Sequence, residues 1–303
     1  MKGNIIHVIH KGVFGSGLTV VNQIKAQNKV IEVGSYTFNK LVGESNVNDR
    51  LVFHGRKALL NSILFLIYNN LFKRNKIIYN PHTNLTPVLK NKIVLNIFTD
   101  TILSFTEYNK KFLDAAGFKN VVVIPNPIPL DRLKCTEGVA VEKEYDFVWA
   151  GRNSAIKRME IFINAFNNVL NINGLILADK FNTNQKKFIL PIHYKLTAIE
   201  GTDSKTFFTE LMKGKVFVFT STDAEGFPLI LMEVAYLGIP IVAPDTEKYR
   251  EILGESAIYW SDEVDLWNKL HSIKVGILNP IYPEKLIEKY SPERITTQYE
   301  AIE

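Results

Sequence analysis

The chain has 303 residues, more than one hydrophobic core usually serves, so we expect two domains. Its composition, with 46% hydrophobic and 22% charged residues, is ordinary for a soluble globular protein. The single cysteine, Cys135, excludes an intramolecular disulfide and favours a reducing compartment, which predicts a cytoplasmic location.

Charge is unevenly distributed along the chain. Residues 1–135 hold 18 Lys and Arg against 7 Asp and Glu, a net +11, whereas residues 136–303 hold 18 against 24, a net −6; together they give +5. The basic half suits an anionic membrane surface or a polyanionic substrate, and a solvated lysine-rich surface is the alternative. Its cations are scattered rather than clustered with aromatic residues, so nucleic-acid binding is not predicted.

The first half alternates short β-branched runs with helical patterns. The opening residues, MKGNIIHVIHKG, contain an apolar run too short for a secretory leader, and they predict a buried strand instead. The predicted strands are Ile5–Ile9, Val30–Val33, Ile77–Tyr79, Ile102–Ser104 and Val121–Ile124, and the predicted helices are Leu18–Ala26, Lys57–Phe72 and Glu107–Ala116.

The most hydrophobic segment, Arg56–Arg74, is flanked by positive charge at both ends. Its apolar part is shorter than the ~18 residues of a membrane span and is interrupted by Asn61 and Ser62, so no transmembrane helix is predicted. Two interpretations stay open: a helix packed on a sheet, or a helix that lies on a membrane surface.

The second half continues the alternation, which predicts parallel sheets with right-handed crossovers. The predicted strands there are Tyr145–Trp149, Gly174–Ala178, Leu196–Ile199, Val216–Phe219, Ile239–Ala243 and Ala257–Trp260, and the predicted helices are Met159–Leu170, Thr206–Met212 and Pro228–Leu237.

A proline-rich segment, IPNPIPLDRLK, separates the two halves. Its prolines stop the preceding strand and stiffen the chain, and the charge balance changes sign at the same place. We therefore predict two Rossmann-like domains, 1–135 and 136–285, with a cleft between them. The last residues, 286–303, are predicted to be helical and to pack back on the first domain.

A carboxylate lies in an unexpected place in the stretch AEGFPLILMEVAYLGIPIVAP, residues 224–244. Glu233 sits inside an apolar run, where a carboxylate needs hydrogen-bond donors, and a ribose diol would supply two. Glu225 precedes the same helix, in a loop at the carboxyl edge of the sheet, where open α/β folds bind ligands. The alternative is that Glu233 is the partner in a structural ion pair.

Between the two glutamates, Gly226, Phe227 and Pro228 lead into the helix. Gly226 lets a ligand approach the backbone, and Pro228 is tolerated because the N–H it lacks would have no helical partner. The free N–H groups and the positive dipole end of the helix favour a phosphate.

Two cations follow the strand that ends at Trp149–Ala150, in the stretch GRNSAIKR. Arg152 lies at the carboxyl end of the strand, and Lys157 begins the next helix, where a cation opposes the helix dipole unless an anion lies nearby. The two side chains are therefore predicted to clamp a diphosphate.

Two further features belong to the predicted first domain. His82, in YNPHT, follows a strand and is predicted to point toward the cleft, and a structural histidine is the alternative. Gly15 and Gly17, in VFGSGLTV, suit a tight turn facing a ligand. With Glu32 this stretch half-matches the dinucleotide fingerprint, but Val20 replaces its third glycine, so a nicotinamide-dependent oxidoreductase is kept only as an alternative.

Taken in order, these stretches resemble the retaining glycosyltransferases of family 4, which have the GT-B fold. Glu225 and Glu233, with seven residues between them, look like the E-x7-E signature of that family. FVWAGRNSAIKRMEIFINAF is similar to its glycine-arginine strand with the lysine and helix that follow. ILSFTEYNKKFLDAAGF and the later IPNPI resemble the end of its first domain. The resemblance covers most of residues 77–260.

The resemblance implies a role for each of these residues. Arg152 and Lys157 would neutralise the donor diphosphate, Glu233 would bind the ribose, and Glu225 would contact the transferred sugar. Gly226 and Phe227 would offer backbone amides beside Pro228, His82 would reach the reaction centre, and Gly15 and Gly17 match the first glycine loop loosely. The segment TEKYREIL departs from the family because a glycine pair is usual there.

The predicted function is metal-independent, retaining transfer of a sugar from a UDP- or GDP-linked donor to a glycan or lipid-linked acceptor. No Asp-x-Asp occurs in the sequence, so neither a metal nor another cofactor is expected. Surface polysaccharide or lipopolysaccharide synthesis, at the inner face of the cell membrane, is the expected setting. The alternatives are a non-catalytic sugar-nucleotide-binding protein and a GT-B relative of other chemistry, such as an epimerase.

Overall fold

The computed structural model describes residues 4–10, 29–33, 37–72, 75–81, 89–181 and 196–302. The predicted helix Leu18–Ala26 lies outside the described residues, as do Gly15, Gly17 and His82. No helix in the described ranges is long and apolar enough to cross a membrane.

The chain divides into two compact units. The first unit comprises Met1–Pro127 and Ser291–Glu303, and the second comprises Ile128–Tyr290. The predicted limits were 1–135, 136–285 and 286–303, so the division falls earlier in the proline-rich segment and the chain re-enters the first unit at a later residue. Both crossing points lie beside prolines, which disfavour continuous regular structure.

The first unit is built around a six-stranded sheet with the order β2-β1-β3-β4-β5-β6, in which every neighbouring pair is parallel. The elements of the first unit are β1 Ile5–His10, β2 Lys29–Val33, α1 Thr37–Glu44, β3 Arg50–His54, α2 Gly55–Asn61, α3 Ile63–Phe72, β4 Lys76–Asn80, α4 Leu89–Phe98, β5 Thr101–Ser104, α5 Glu107–Ala115, β6 Val121–Val123 and the last helix of the chain, which is given below. Its strands are apolar and buried, as expected for a parallel sheet covered by helices.

The second unit contains another parallel six-stranded sheet, with the order β12-β11-β10-β7-β8-β9. Its elements are α6 Leu130–Leu133, a 3₁₀ turn Lys134–Thr136, β7 Tyr145–Gly151, α7 Met159–Asn168, β8 Gly174–Ala178, β9 Leu196–Glu200, α8 Ser204–Met212, β10 Gly214–Val218, α9 Leu229–Tyr236, β11 Ile241–Pro244, α10 Glu247–Leu253, β12 Ala257–Trp260, α11 Glu263–Lys274 and α12 Glu284–Lys289. The final helix, α13 Pro292–Glu300, belongs to the first unit.

Helix α7 covers the second sheet with its aromatic face. Phe162 and Phe166 are fully buried with Phe147 and Trp149 in one core cluster. Gly174, at the start of β8, makes this packing possible, since a Cβ there would come within 2.3 Å of Phe166 Cζ. Close packing of this kind tolerates little change in volume.

Helix α13 is held in the first unit by polar contacts with two strands. Arg50 Nη1 donates to the carbonyls of Glu300 at 2.8 Å and Ile302 at 3.0 Å. Asn80 Nδ2 donates to the buried hydroxyl of Tyr299 at 2.9 Å. The predicted terminal helical segment is thus two helices in different units, divided at Ser291, whose hydroxyl caps α13.

The α/β fold with parallel sheets confirms the predicted fold class, and several elements differ from prediction. Strand β3 was missed because its five residues run directly into α2 through Gly55, which has a positive φ of 80°. The predicted helix Lys57–Phe72 is two helices, because the Ser62 hydroxyl donates to the Ala58 carbonyl between them. The unpredicted helices are α1, α4, α6, α10 and α11.

Candidate functional site

The order of strands in the second sheet identifies its ligand-binding edge. The chain runs from β7 outward through β8 and β9, and then returns to the other side of β7 with β10. Ligands of open α/β sheets bind at the carboxyl ends of strands where the order reverses in this way. The loops that follow β7 and β10 lie at this switch point, and they contain most of the predicted site residues.

The two loops are joined by a network of hydrogen bonds. Trp149 Nε1 donates to Thr220 Oγ1 at 2.9 Å, and that hydroxyl donates to the Lys157 carbonyl at 2.6 Å. The backbone N–H of Thr222 donates to the Ile156 carbonyl at 2.9 Å. Because these bonds link two neighbouring strand ends, the structure brings the predicted cation loop and the predicted glutamate loop together.

Lys157 and Glu225 form an ion pair within this network. Lys157 Nζ lies 2.6 Å from Glu225 Oε1, and the two side chains are only 14% and 17% exposed. A pair so far removed from water is screened much less than a surface pair. The sequence analysis placed both residues at the site without predicting that they contact each other.

Arg152, the second predicted cation, is exposed, and it makes no hydrogen bond or ion pair with any described residue. Arg158, which directly follows Lys157, is half-buried. Its Nε donates to the Thr220 carbonyl at 2.7 Å, and its guanidinium lies 5.7 Å from the centre of the Trp260 ring. Of the two predicted cations, Lys157 is therefore the one whose side chain is held by a described partner at the switch point.

Glu233 is buried on α9, as the sequence predicts, and its partner is Arg132. Arg132 Nη1 lies 2.6 Å from Glu233 Oε1. Burial raises the pKa of Glu233, and the positive charges of Arg132 and Lys157 act in the opposite direction. The ion-pair interpretation of Glu233 is thus realised in the structure. Lys157 thus pairs with Glu225 and also favours the charged form of Glu233.

Arg132 was missed by the sequence analysis. It lies in α6, within the proline-rich segment, and it is 101 residues from Glu233 in sequence. No local pattern connects the two positions. The sequence indicated only that a buried Glu233 would need a hydrogen-bond donor, and it did not indicate which residue would donate.

Helix α9 begins at Leu229, directly after Pro228, and no side chain among the described residues caps its first turn. Its first backbone N–H groups therefore remain available to an anion. Phe227 is buried, and its ring meets Tyr290 edge-on at 5.4 Å. The predicted residues Gly226, Phe227 and Pro228 thus lie directly before the N-terminus of α9.

The segment that follows β11, at the start of α10, also contacts the loop after β10. Lys248 in α10 is fully buried, and its Nζ donates to the backbone carbonyls of Asp223, at 3.0 Å, and Glu225. Burial lowers the pKa of Lys248 to about 8, and the charges of Asp223, Glu225 and Glu251 act to raise it. The sequence analysis noted this segment only as a departure from the family.

Two Rossmann-like units, each with a parallel six-stranded sheet, define the class of this protein as a GT-B fold. Within the second unit, residues 144–273 match the family described as glycosyl transferases group 1. This match spans less than half of the chain. It includes Lys157, Glu225, Glu233 and Lys248, and Arg132 lies outside it.

Solved structures resemble the whole chain in fold. Alr3699/HepE from Anabaena in complex with UDP is 15% identical with a TM-score of 0.74, and 98% of each chain is covered. The lipopolysaccharide outer core galactosyltransferase WaaB, in its apo form, is 15% identical with a TM-score of 0.73 and the same coverage. Sucrose-phosphate synthase from Thermosynechococcus elongatus is 13% identical with a TM-score of 0.69, covering 98% of this chain and 97% of its own. No curated protein sequence matches this chain.

Proposed function

We propose that this chain is a retaining glycosyltransferase of family 4 that transfers a sugar from a UDP- or GDP-linked donor to a glycan or lipid-linked acceptor. The observation that carries the proposal is the meeting of Lys157, Glu225 and Glu233 beside the uncapped start of α9. A bare helix end and a fixed cation are what a diphosphate requires.

The donor is proposed to bind along these groups. Its diphosphate lies at Gly226–Pro228 and the start of α9, within reach of Lys157 and Arg152. Its ribose binds Glu233, whose carboxylate is paired with Arg132. Glu225 contacts the transferred sugar. Support comes from the fold that this chain shares with HepE, whose structures hold UDP and UDP-glucose.

The chemistry breaks the bond between the sugar C1 and the donor diphosphate. Negative charge develops on the leaving phosphate, and Lys157, Arg152 and the helix amides stabilise it. The acceptor hydroxyl attacks C1 on the face from which the diphosphate leaves, and its proton passes to a diphosphate oxygen. The configuration at C1 is retained without a protein nucleophile.

The proposed mechanism needs no metal, because cationic side chains fill the role that a metal clamp has elsewhere. His82 is proposed to reach the reaction centre, and Gly15 and Gly17 to border the donor. Exclusion of water protects the donor from hydrolysis. Activity that is unchanged after treatment with EDTA is the expected result, and its loss and recovery with Mg²⁺ would refute metal independence.

Thermal-shift measurements with a panel of nucleotide sugars test the donor site. The correct UDP- or GDP-sugar should raise the melting temperature, since a ligand that binds only the native state stabilises it. NADH is the control for the alternative oxidoreductase, and it should give no shift. Stabilisation by NADH alone would refute the proposal.

A non-catalytic sugar-nucleotide-binding protein would keep the same site, so turnover must distinguish the two. We expect release of UDP or GDP from the stabilising donor to accelerate when lipid-linked or glycan acceptors are added. A donor that binds and stabilises, yet is never consumed with any acceptor, would support the non-catalytic alternative.

We also propose that the first unit docks on an anionic membrane surface. Leu64, Ile67 and Leu71 of α3 are 67%, 43% and 73% exposed and recur at three- and four-residue spacing, so they form one apolar stripe. Arg56 and Lys57 are exposed in the preceding α2. An apolar helix face beside basic residues fits the interface of an anionic bilayer. Lipid-linked acceptors in lipopolysaccharide or surface polysaccharide synthesis would be met there, at the cytoplasmic face.

Flotation with phosphatidylglycerol vesicles tests this surface. The wild type should float with anionic vesicles at low salt and much less at high salt. Leu64→Gln/Leu71→Gln should lose flotation, whereas Leu170→Gln, which alters an exposed leucine of the second unit, should keep it. Equal flotation of the wild type and both variants, or no flotation of the wild type, would refute the docking surface.

A further inference from the structure

Lys248 occupies a position that packing alone does not explain. It is the second residue of α10, so its charge lies near the helix N-terminus, where a cation opposes the dipole. Its side chain is fully buried, and removing an ammonium from water is unfavourable unless partners compensate. Its partners are backbone carbonyls of the loop between β10 and α9.

We propose that Lys248 is a positioning residue for the donor diphosphate: its ammonium holds the carbonyls of Asp223 and Glu225, and this orients the loop so that the N–H group of Gly226 faces the phosphates. This inference rests on the proposed function, and it goes beyond it by assigning a role to a residue outside the E-x7-E segment.

Peptide geometry connects the lysine to the opposite side of the loop. In a trans peptide the C=O and N–H bonds point in opposite directions. The carbonyls of Asp223 and Glu225 point at Lys248 Nζ. The N–H groups of the same two peptides, which belong to Ala224 and Gly226, therefore point away from the lysine. Gly226 directly precedes the uncapped end of α9 at Phe227 and Pro228.

Two hydroxyl groups from the same part of the chain hold the loop beside Lys248. Thr246 Oγ1 donates to Asp223 Oδ1 at 2.9 Å, and the buried hydroxyl of Tyr249 donates to the Thr222 carbonyl at 2.6 Å. The start of α10 thus contacts Thr222, Asp223 and Glu225 in turn. Lys248 is the member of this set that contributes a positive charge.

The charge of Lys248 also complements the ligand. Asp223 and Glu225 face it from the loop, and Glu251 faces it from its own helix. Lys157, from the loop after β7, is already paired with Glu225. A diphosphate that arrives at the loop therefore meets a buried cation directly behind the peptide groups that it contacts. Low local polarity strengthens that attraction relative to water.

Substitution of Lys248 tests the inference, with UDP and GDP binding measured by calorimetry and donor turnover measured across pH. Lys248→Met should weaken nucleoside diphosphate binding and lower kcat/KM at least tenfold. Lys248→Gln, which still donates hydrogen bonds, should lose less, and it keeps the test possible if Lys248→Met does not fold. Because burial lowers the pKa of Lys248 to about 8, wild-type kcat/KM should fall as pH rises through that value. Both variants should lack that decline.

Lys143→Met is the matched control. Lys143 Nζ also donates to two backbone carbonyls, those of Met212 and Gly214, and burial also lowers its pKa, but it lies at the opposite end of the sheet. This variant should bind UDP and GDP as the wild type does. Equal affinity and equal pH profiles for Lys248→Met and the wild type would overturn the inference.

Hydrogen exchange separates this inference from the proposed function. If the wild type binds neither UDP nor GDP, the proposed function fails, and the exchange of the Ala224 and Gly226 amides still decides the positioning role. Faster exchange of these two amides in Lys248→Met than in the wild type would support it, and unchanged rates would overturn it.

Discussion

At the scale of single residues, Glu233 is a buried carboxylate, and such a group must be either paired with a donor or protonated. Arg132 meets that demand at 2.6 Å, and burial still raises the pKa of Glu233. Such a pair adds little net stability relative to apolar residues, but the loss of one partner leaves an uncompensated charge. In the proposed function, this pair also holds the Glu233 carboxylate where the donor ribose would bind.

The first prediction concerns Arg132. We expect Arg132→Met to lower the free energy of unfolding by about 2 kcal/mol, the order of cost of leaving a buried polar group without its partner. Urea denaturation measures the change. Arg132→Met/Glu233→Gln should recover most of the loss, because the stranded charge is then removed. A double variant as unstable as the single variant would contradict this explanation.

The second prediction separates the two predicted phosphate cations. Arg152→Ala and Lys157→Ala should each lower kcat by about 10²–10³, or roughly 3–4 kcal/mol of transition-state stabilisation. Only Lys157→Ala should also lower thermal stability, since it leaves Glu225 without its ion-pair partner, whereas Arg152 is exposed. Melting curves and donor turnover measure both effects. A double variant with near-normal transfer would refute the cation clamp.

Local patterns in the sequence identified some site residues and missed others. Glu225, Glu233 and Lys157 were predicted because a charge beside a helix start, or inside an apolar run, is visible within a few neighbouring residues. Arg132 and Lys248 were not predicted, because their partners lie 101 and 25 residues away. Neither residue is unusual in its own stretch of sequence.

At the scale of elements, α10 supports the loop that follows β10. The helix is only seven residues long, and Thr246 caps it through the N–H of Tyr249. Three side chains at its start, those of Thr246, Lys248 and Tyr249, donate hydrogen bonds to the loop after β10. An element of this size is stabilised mainly by such tertiary contacts rather than by helix propensity.

The third prediction follows from the buried lysine of α10. The native chain releases the Lys248 proton above a pKa of about 8, whereas the unfolded chain holds it up to the ordinary value of 10.5. The unfolded state therefore binds more protons in this window, and the free energy of unfolding rises with pH. Urea denaturation at several pH values should show this rise in the wild type relative to Lys248→Met. Parallel curves for the two proteins would contradict the pKa assignment.

Element boundaries also show what pattern reasoning can find. Every predicted strand has an observed counterpart, because parallel strands are apolar runs bounded by turns. β3 and the helices α1, α4, α6, α10 and α11 were missed; β3, α6 and α10 are short, and α11 is polar overall. Their stability comes from the sheets on which they pack.

At the scale of the whole molecule, each unit has its own sheet and its own core. The core of the second unit draws on β7 to β12 and the helices between them. All of the proposed donor contacts lie within Ile128–Tyr290, namely Arg152, Lys157, Glu225 and Glu233. Arg132 and Lys248, which contact Glu233 and the loop after β10, lie in the same unit. The first unit contains His82, Gly15 and Gly17.

The fourth prediction is that the fragment 128–290 folds alone and binds the donor nucleotide. Its urea unfolding should be cooperative, since a complete sheet and core are present. UDP or GDP should stabilise it, and transfer should be absent because the first unit is missing. The same fragment with Glu233→Gln should bind more weakly. A fragment that is unfolded, or that ignores both nucleotides, would contradict the assignment of the donor site to this unit.

The sequence by itself determined the α/β class, the parallel sheets, and the placement of Glu225 and Glu233 around a helix start. Those properties are encoded in short-range periodicity and in the chemistry of neighbouring residues. Only the tertiary structure decided that β10 lies beside β7, that Arg132 pairs with Glu233, and that Lys248 supports the loop. These contacts join residues far apart in the chain. They depend on the order of strands in the sheet, a property of the packed whole that no single stretch of sequence contains.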